Sequence, residues 1–263
     1  MKIQDKAVLI TGAGRGIGAA MALRFAEEVP RGIVVSDVDE VGAQRVAGQV
    51  RELGVEALAL RVDVADRSAV RRLVTLAERE FGGLDLVCSN AGVATGLGIH
   101  AAERVWSRVW AVNVAAHVYL AQAVLPGMAR RGEGHLLITA SAAGLLGMPG
   151  DAPYSVTKHA AVGLAEWLAF TYGPTGIRVS ALCPLGVRTE LLMPAVRSGH
   201  PAARAVTGTA ALLEPEEVAE ATLAGLADER FLILPHPEVA ALRVVRAADP
   251  DGWISVQRQR VAR

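Results

Sequence analysis

The chain has 263 residues, enough to bury a sizeable core in one domain, and its 52% hydrophobic and 4% aromatic content argues against a disordered or collagen-like polymer. Its 27 basic and 27 acidic side chains cancel, so no global field calls for nucleic acid as a partner. No secretory signal or uninterrupted membrane-length apolar run is evident, so the expectation is a soluble cytoplasmic protein without membrane insertion.

Ala7 to Ile10 reads as a short buried strand, followed by a Gly-rich turn and an apolar helical face of Ile17, Met21, Phe25 and Val29. Ile33 to Val35 is a second strand, with a helix from about Glu40 to Leu53. Ala57 to Leu60 and then Ala69 to Phe81 repeat the alternation, and Leu84 to Cys88 supplies a fourth strand. A long helical stretch runs from Val112 to Arg131 with Leu120, Val124 and Met128 on one face. Leu136 to Ile138, the helix Tyr154 to Tyr172 and the strand Ile177 to Leu182 continue the rhythm. Residues 188–213 form a long irregular or weakly helical insertion, the kind of segment that serves as a ligand cover. Another helix starts at Glu214, a strand follows from Phe231 to Leu234, and residues 235–263 form a helical tail. No polar linker splits residues 1–263, so the pattern predicts one α/β domain: a doubly wound, Rossmann-like parallel sheet with helices on both faces.

Cys88 and Cys183 sit in apolar strand-like segments and are expected to be two buried thiols. The six histidines show none of the tight zinc-binding spacings, so no metal is expected.

The run Thr11-Gly12-Ala13-Gly14-Arg15-Gly16-Ile17-Gly18 lies between a strand and a helix. Glycines there let backbone approach a phosphate, and the helix N-terminus adds N–H donors. The spacing departs from G-x-G-x-x-G, so the assignment needs support. Asp37, after the second strand, supplies some: its carboxylate can accept from adenosine ribose hydroxyls and would repel a ribose phosphate. Arg15 pulls the other way. On balance NAD(H) is favoured, with NADP(H) as the alternative. Asp63 after the third strand and Ser89-Asn90-Ala91-Gly92 after the fourth are further cofactor-side loops. In isolation, Asp63 reads equally as a turn cap and Asn90 as a backbone-satisfying residue. Tyr154 and Lys158 stand at i and i+4 of one helix, so both can face one pocket, where an ammonium favours the phenolate of a group that otherwise ionises near pH 10.

These residues, in this order, resemble the short-chain dehydrogenase/reductase family in its single-domain form. Thr11 to Gly18 looks like that family's glycine motif, and Asn90-Ala91-Gly92 like most of its Asn-Asn-Ala-Gly motif. Asn113, Ser141, Tyr154 and Lys158 match its catalytic tetrad, over a resemblance that covers residues 5–190 well. The resemblance implies that Tyr154 exchanges the alcohol proton, Ser141 hydrogen-bonds the reacting oxygen, Lys158 holds the nicotinamide ribose and activates the tyrosine, and Asn113 maintains a water-mediated proton path. It also implies that Gly12, Gly16, Gly18 and their neighbour Ile17 hold the pyrophosphate, that Asp63 and Val64 lie near adenine, and that Thr189 binds the carboxamide. Pro184, Gly186 and Val187 would form the nicotinamide-side turn. Ser89 and Leu185 depart from the pattern, Leu185 standing where the family usually has Gly after Pro, and the usual Val-Asp-Gly-Gly ending is missing.

The implied activity is hydride transfer between a nicotinamide cofactor and a secondary alcohol or ketone. A ketone reductase using NADPH, a noncatalytic dinucleotide sensor and a protein-interaction module are the alternatives. Leu145, Leu146 and Met148, with Leu191, Leu192, Met193 and Val196 of the cover, suggest an apolar substrate pocket, though the same residues could simply bury the cover. Apolar faces on helices 112–131 and 153–172 point to a homodimer or homotetramer.

Overall fold

The computed structural model describes residues 1–261, which build a single seven-stranded parallel sheet in the order β3-β2-β1-β4-β5-β6-β7. The strands are β1 (Ala7–Thr11), β2 (Gly32–Asp37), β3 (Ala57–Arg61), β4 (Leu86–Ser89), β5 (Gly134–Thr139), β6 (Ile177–Leu182) and β7 (Leu232–Ile233). The helices interleave with them as α1 (Gly16–Ala26), α2 (Glu40–Glu52), α3 (Arg67–Phe81), α4 (Glu103–Trp110), α5 (Ala116–Arg131), α6 (Ala143–Leu146) and α7 (Ala152–Tyr172). After β6 come α8 (Met193–Arg197), α9 (Pro201–Thr207) and α10 (Pro215–Ala227), and after β7 come α11 (Glu238–Ala248) and α12 (Pro250–Val261). Two separate buried clusters flank the sheet. One holds Leu9, Val34 and Val87 against α3, α5 and α7, and the other holds Val8, Ile10 and Ile33 against α1, α2 and α10. Consecutive strand residues therefore face opposite layers, which is why β1, β2 and β4 carry apolar residues at consecutive positions.

Strand order reverses beside β1, which pairs β2 on one side and β4 on the other. At such a switch point the loops leaving the two strands diverge and open a crevice at their carboxyl ends. The loops after β1 and β4 carry Gly12 to Gly18 and Asn90 to Gly92.

The helical pattern differs from expectation in two places. The first helix stops at Ala26, and Val29 lies beyond it in a turn with φ 53° and largely exposed, so it is no part of the buried face. The long helix starts at Glu103 rather than Val112, with a π-turn over Ala111–Ala115 joining α4 to α5. Only Val109 of α4 is buried, which left little apolar periodicity to detect. Residues 188–213 contain two short helices, and their ends meet: Arg188 N–H donates to Leu213 O (2.9 Å) and Leu213 N–H to Gly186 O (3.0 Å). The segment 103–131 is long and apolar enough to cross a membrane by length and composition, but 56% of its most apolar window is buried inside the fold.

Candidate active site

A cavity of about 980 Å³ runs along the carboxyl ends of the strands. At one end stand Gly12, Arg15, Gly16, Ile17, Gly18, Asp37, Asp63 and Val64. Asn90, Ala91 and Gly92 form the middle, and Ser141, Tyr154, Lys158, Pro184, Val187 and Thr189 the other end.

The glycine end is closely fitted. Gly12 has φ 63°, and a Cβ there would lie 2.8 Å from the Cα of Ala91; Gly16 has φ 55° and leads directly into α1. Any side chain at Gly12 would force β1 and β4 apart at the point where the crevice opens. Asn90 ties the same strands together: its side-chain amide donates to Thr11 O (3.0 Å) and Gly12 O (3.3 Å), while Thr139 Oγ1 donates to its Oδ1 (3.0 Å). Asp37 accepts the N–H of Gly14 (2.9 Å) and of Asp39 (3.0 Å), which fixes a nearly buried carboxylate against the glycine loop. Arg15 instead pairs with Glu190 of the cover at 2.8 Å. Asp63 is met by Arg108 of α4 at 2.9 Å. Burial resists its ionisation, but the hydrogen bonds from Arg108 and from Ala65 N–H outweigh it and hold the carboxyl below its usual range.

At the other end, α7 positions Tyr154 and Lys158 one turn apart. Asp151 caps that helix, accepting Tyr154 N–H at 3.0 Å, and Pro153 sits in the first turn. The Lys158 ammonium donates to Thr139 O (2.8 Å) and lies 5.6 Å from the centre of the Tyr154 ring. Burial lowers its pKa to about 8, so it still carries its proton at neutral pH. Burial raises the Tyr154 phenol, and the hydrogen bond with the Ser141 hydroxyl opposes that rise. Ser141 is itself oriented by Ala143 N–H, which donates to its Oγ (3.1 Å).

Asn113 lies in the π-turn, fully buried and outside the cavity wall. Its Nδ2 donates to Val93 O (2.9 Å) and Thr157 Oγ1 (3.1 Å), and its Oδ1 accepts Val93 N–H (2.9 Å). Both amide hydrogens are committed, so the side chain pins the 92–95 loop and α7 rather than facing a ligand.

Several expected wall residues lie elsewhere. Gly186 is turned away from the cavity, its carbonyl facing Leu213 and its open side filled by Val206 and Leu212. Leu145 and Leu146 are core residues beneath α11 and α12, where Trp253 Nε1 donates to Leu146 O (3.0 Å). Met148, Leu191 and Leu192 do line the cavity, whereas Met193 and Val196 do not.

Sequence reasoning passed over Asp151, whose Oδ2 also accepts the N–H groups of Thr95 and Gly96 (2.6 Å each) and whose Oδ1 accepts Thr95 Oγ1 (2.9 Å). An Asp two residues before Pro, at the start of a helix, was the available signal. Arg108, Thr95, Leu97 and His200 also line the cavity and carried no motif.

The short-chain dehydrogenase family model matches residues 6–198. The chain belongs to the short-chain dehydrogenase family. Its architecture agrees with solved members. A short-chain dehydrogenase/reductase from Burkholderia phymatum in complex with NAD is 31% identical, with a TM-score of 0.86 over 95% of this chain and 96% of that one. A 7α-hydroxysteroid dehydrogenase complexed with NADH and 7-oxo glycochenodeoxycholic acid is 27% identical, with a TM-score of 0.82 over 89% and 93%. Among sequence relatives, 1-deoxy-11-beta-hydroxypentalenate dehydrogenase of Streptomyces exfoliatus is 34% identical over 90% of this chain and 86% of its own length. Estradiol 17-beta-dehydrogenase 11 of Mus musculus is 32% identical over 98% and 85%. As a short-chain dehydrogenase, the chain is an oxidoreductase of small molecules that works with a nicotinamide cofactor.

Proposed function

We propose that this short-chain dehydrogenase interconverts an apolar secondary alcohol and its ketone and prefers NAD(H) to NADP(H). The observation that carries the reading is the meeting of Ser141, Tyr154 and Lys158 at one end of a cavity whose other end is the glycine loop and Asp37. The residues suit a dinucleotide: a close-packed glycine turn at a helix N-terminus for the diphosphate, and an oriented carboxylate where a ribose would lie.

The bound nicotinamide supplies the hydride acceptor or donor. In the oxidative direction the Tyr154 phenolate, favoured by the Lys158 ammonium 5.6 Å from its ring, would take the alcohol proton while the carbinol hydrogen passed as hydride to the nicotinamide. Ser141 donates to the reacting oxygen and steadies its charge. Lys158 holds the ribose with the donors not spent on Thr139 O. Asn113 serves a water path to Lys158 through its main chain, since its side chain is committed to Val93 and Thr157.

Cofactor preference follows from charge. Asp37 would oppose a ribose phosphate, and Arg15, the group that could attract one, is occupied by Glu190. An NADPH-dependent ketone reductase is thereby the weaker reading. Met148, Leu191 and Leu192 supply the apolar wall, and the steroid and pentalenate names of the relatives favour the same substrate character. Residues 188–213 act as the cover. Trp110 of α4 and Val156, Trp167 and Phe170 of α7 are about half exposed or more, and they form the face of a homodimer or homotetramer.

A turnover screen over alcohols and ketones with both cofactors tests the reading. Activity with NAD(H) on apolar secondary alcohols is expected. Binding of NAD(H) without turnover across the panel would favour a sensor instead.

A further inference from the structure

His236 follows β7, the strand beside β6, so its ring falls next to the loop that leaves β6 at Pro184. The ring is 2% exposed, and no step of the proposed chemistry uses it. Its Nδ1 accepts the N–H of Leu185 (3.2 Å), and its Nε2 bonds Gly186 O (3.1 Å). A backbone N–H can only donate and a carbonyl can only accept, so the ring must be neutral with its hydrogen on Nε2. Burial lowers its pKa, which keeps it in that form, while the carbonyls of Gly186 and Ala211 and the carboxylates of Glu238 and Glu217 pull the other way.

The groups held by this ring are not incidental. Gly186 O also accepts Leu213 N–H, the bond that joins the two ends of the 188–213 cover. Pro184 O accepts Ala142 N–H (2.8 Å) and Ser141 Oγ (3.4 Å), which links the same loop to the serine at the reacting end. Leu185 and Val187 line the cavity on either side of Gly186. One ring therefore bonds backbone groups of two consecutive residues at the hinge of the cover and beside the reacting end, without touching the cavity.

We infer that His236 is a positioning residue that fixes the 184–187 loop, and through it the nicotinamide end of the cofactor site and the base of the cover. The inference rests on the dinucleotide reading above. Removing the ring leaves the Leu185 N–H without its buried acceptor and frees the loop to turn, while Asp37, Asp63 and the glycine loop, at the far end of the cavity, stay as they are.

Binding of NADH and of ADP-ribose, measured by calorimetry on wild type, His236→Ala, His236→Asn and His236→Gln, separates the two ends of the site without any substrate. The variants are first matched for melting temperature. In His236→Ala, NADH binding should weaken by about tenfold, the size of one buried hydrogen bond left unmade, with ADP-ribose binding changed by less than about twofold. His236→Asn, which can still accept from Leu185 N–H, should recover most of the loss. Equal weakening of both ligands, or no weakening of NADH, would overturn the inference while leaving the dinucleotide reading intact. Failure of the wild type to bind either ligand would remove both. Should His236→Ala fail to fold, His236→Leu, which fills space but offers no acceptor, carries the same comparison against wild type.

Discussion

Replacing Asp151 by Ala tests how the catalytic helix is held. The carboxylate accepts four hydrogen bonds, from the N–H groups of Thr95, Gly96 and Tyr154 and from Thr95 Oγ1, while only 7% exposed. Losing the helix cap alone costs about 1 kcal/mol. Each bond to the charged group is worth roughly 1.5–3 kcal/mol, but the bonds share one carboxylate and do not add. Part of the loss returns as water reaches the 95–97 loop, so a net cost of about 3–5 kcal/mol follows. For a chain of this size that lowers the melting temperature by about 5–9 °C. Asp151→Asn should rescue little, because both oxygens accept and an amide must turn its NH2 toward donors on one side. Since Tyr154 N–H is one of the four donors, kcat should fall as well, even at temperatures where the variant is folded. Scanning calorimetry with steady-state kinetics at 20 °C checks both. An Asp151→Ala protein that melts within about 2 °C of wild type and keeps its kcat would refute the reasoning.

Three further outcomes are expected. Asp37→Ala should narrow the preference for NAD(H), and combining it with Glu190→Gln, which frees Arg15, should bring NADP(H) binding up further; unchanged cofactor ratios in paired titrations would dismiss the charge argument. Burial lowers His117 to a pKa of about 3 and His135 to about 4, so both are neutral in the fold and the unfolded chain takes up their protons first. Stability is then complete above pH 6.5 and declines as pH falls from there toward 4, by about 1.4 kcal/mol per unit for each ring, so denaturant unfolding at pH 5.5 and 7.5 should differ by about 2.5 kcal/mol, and a flat profile would contradict it. Amide exchange in residues 188–213 should slow once cofactor and a verified substrate are bound, and no change would mean that the cover is already rigid.

The sheet was legible because most of it is buried on both faces: runs such as Ala7 to Ile10 and Ile33 to Val35 have no polar alternation to confuse, and Gly-rich or polar turns end them. The motif residues were legible because their chemistry demands particular side chains at fixed offsets, as with Tyr154 and Lys158. What was hidden depends on tertiary packing. Nothing in the local sequence says that α11 and α12 bury Leu145 and Leu146, or that Gly186 turns its carbonyl toward Leu213. Asp151 and His236 were missed because their partners are peptide groups, which leave no mark in a sequence. Arg15 was singled out, but its pairing with Glu190 was hidden because the two side chains lie 175 positions apart in the chain.

The central claim is that Tyr154 carries the proton while its neighbours hold the cofactor. Tyr154→Phe keeps the ring and removes only the hydroxyl that meets Ser141. The decisive measurement is turnover of the best alcohol found for the wild type, taken alongside NADH binding to the same preparations. The account predicts NADH affinity within about threefold of wild type and turnover reduced by roughly 100-fold or more, the usual contribution of a positioned acid/base group. A folded Tyr154→Phe protein with near-wild-type turnover would contradict it.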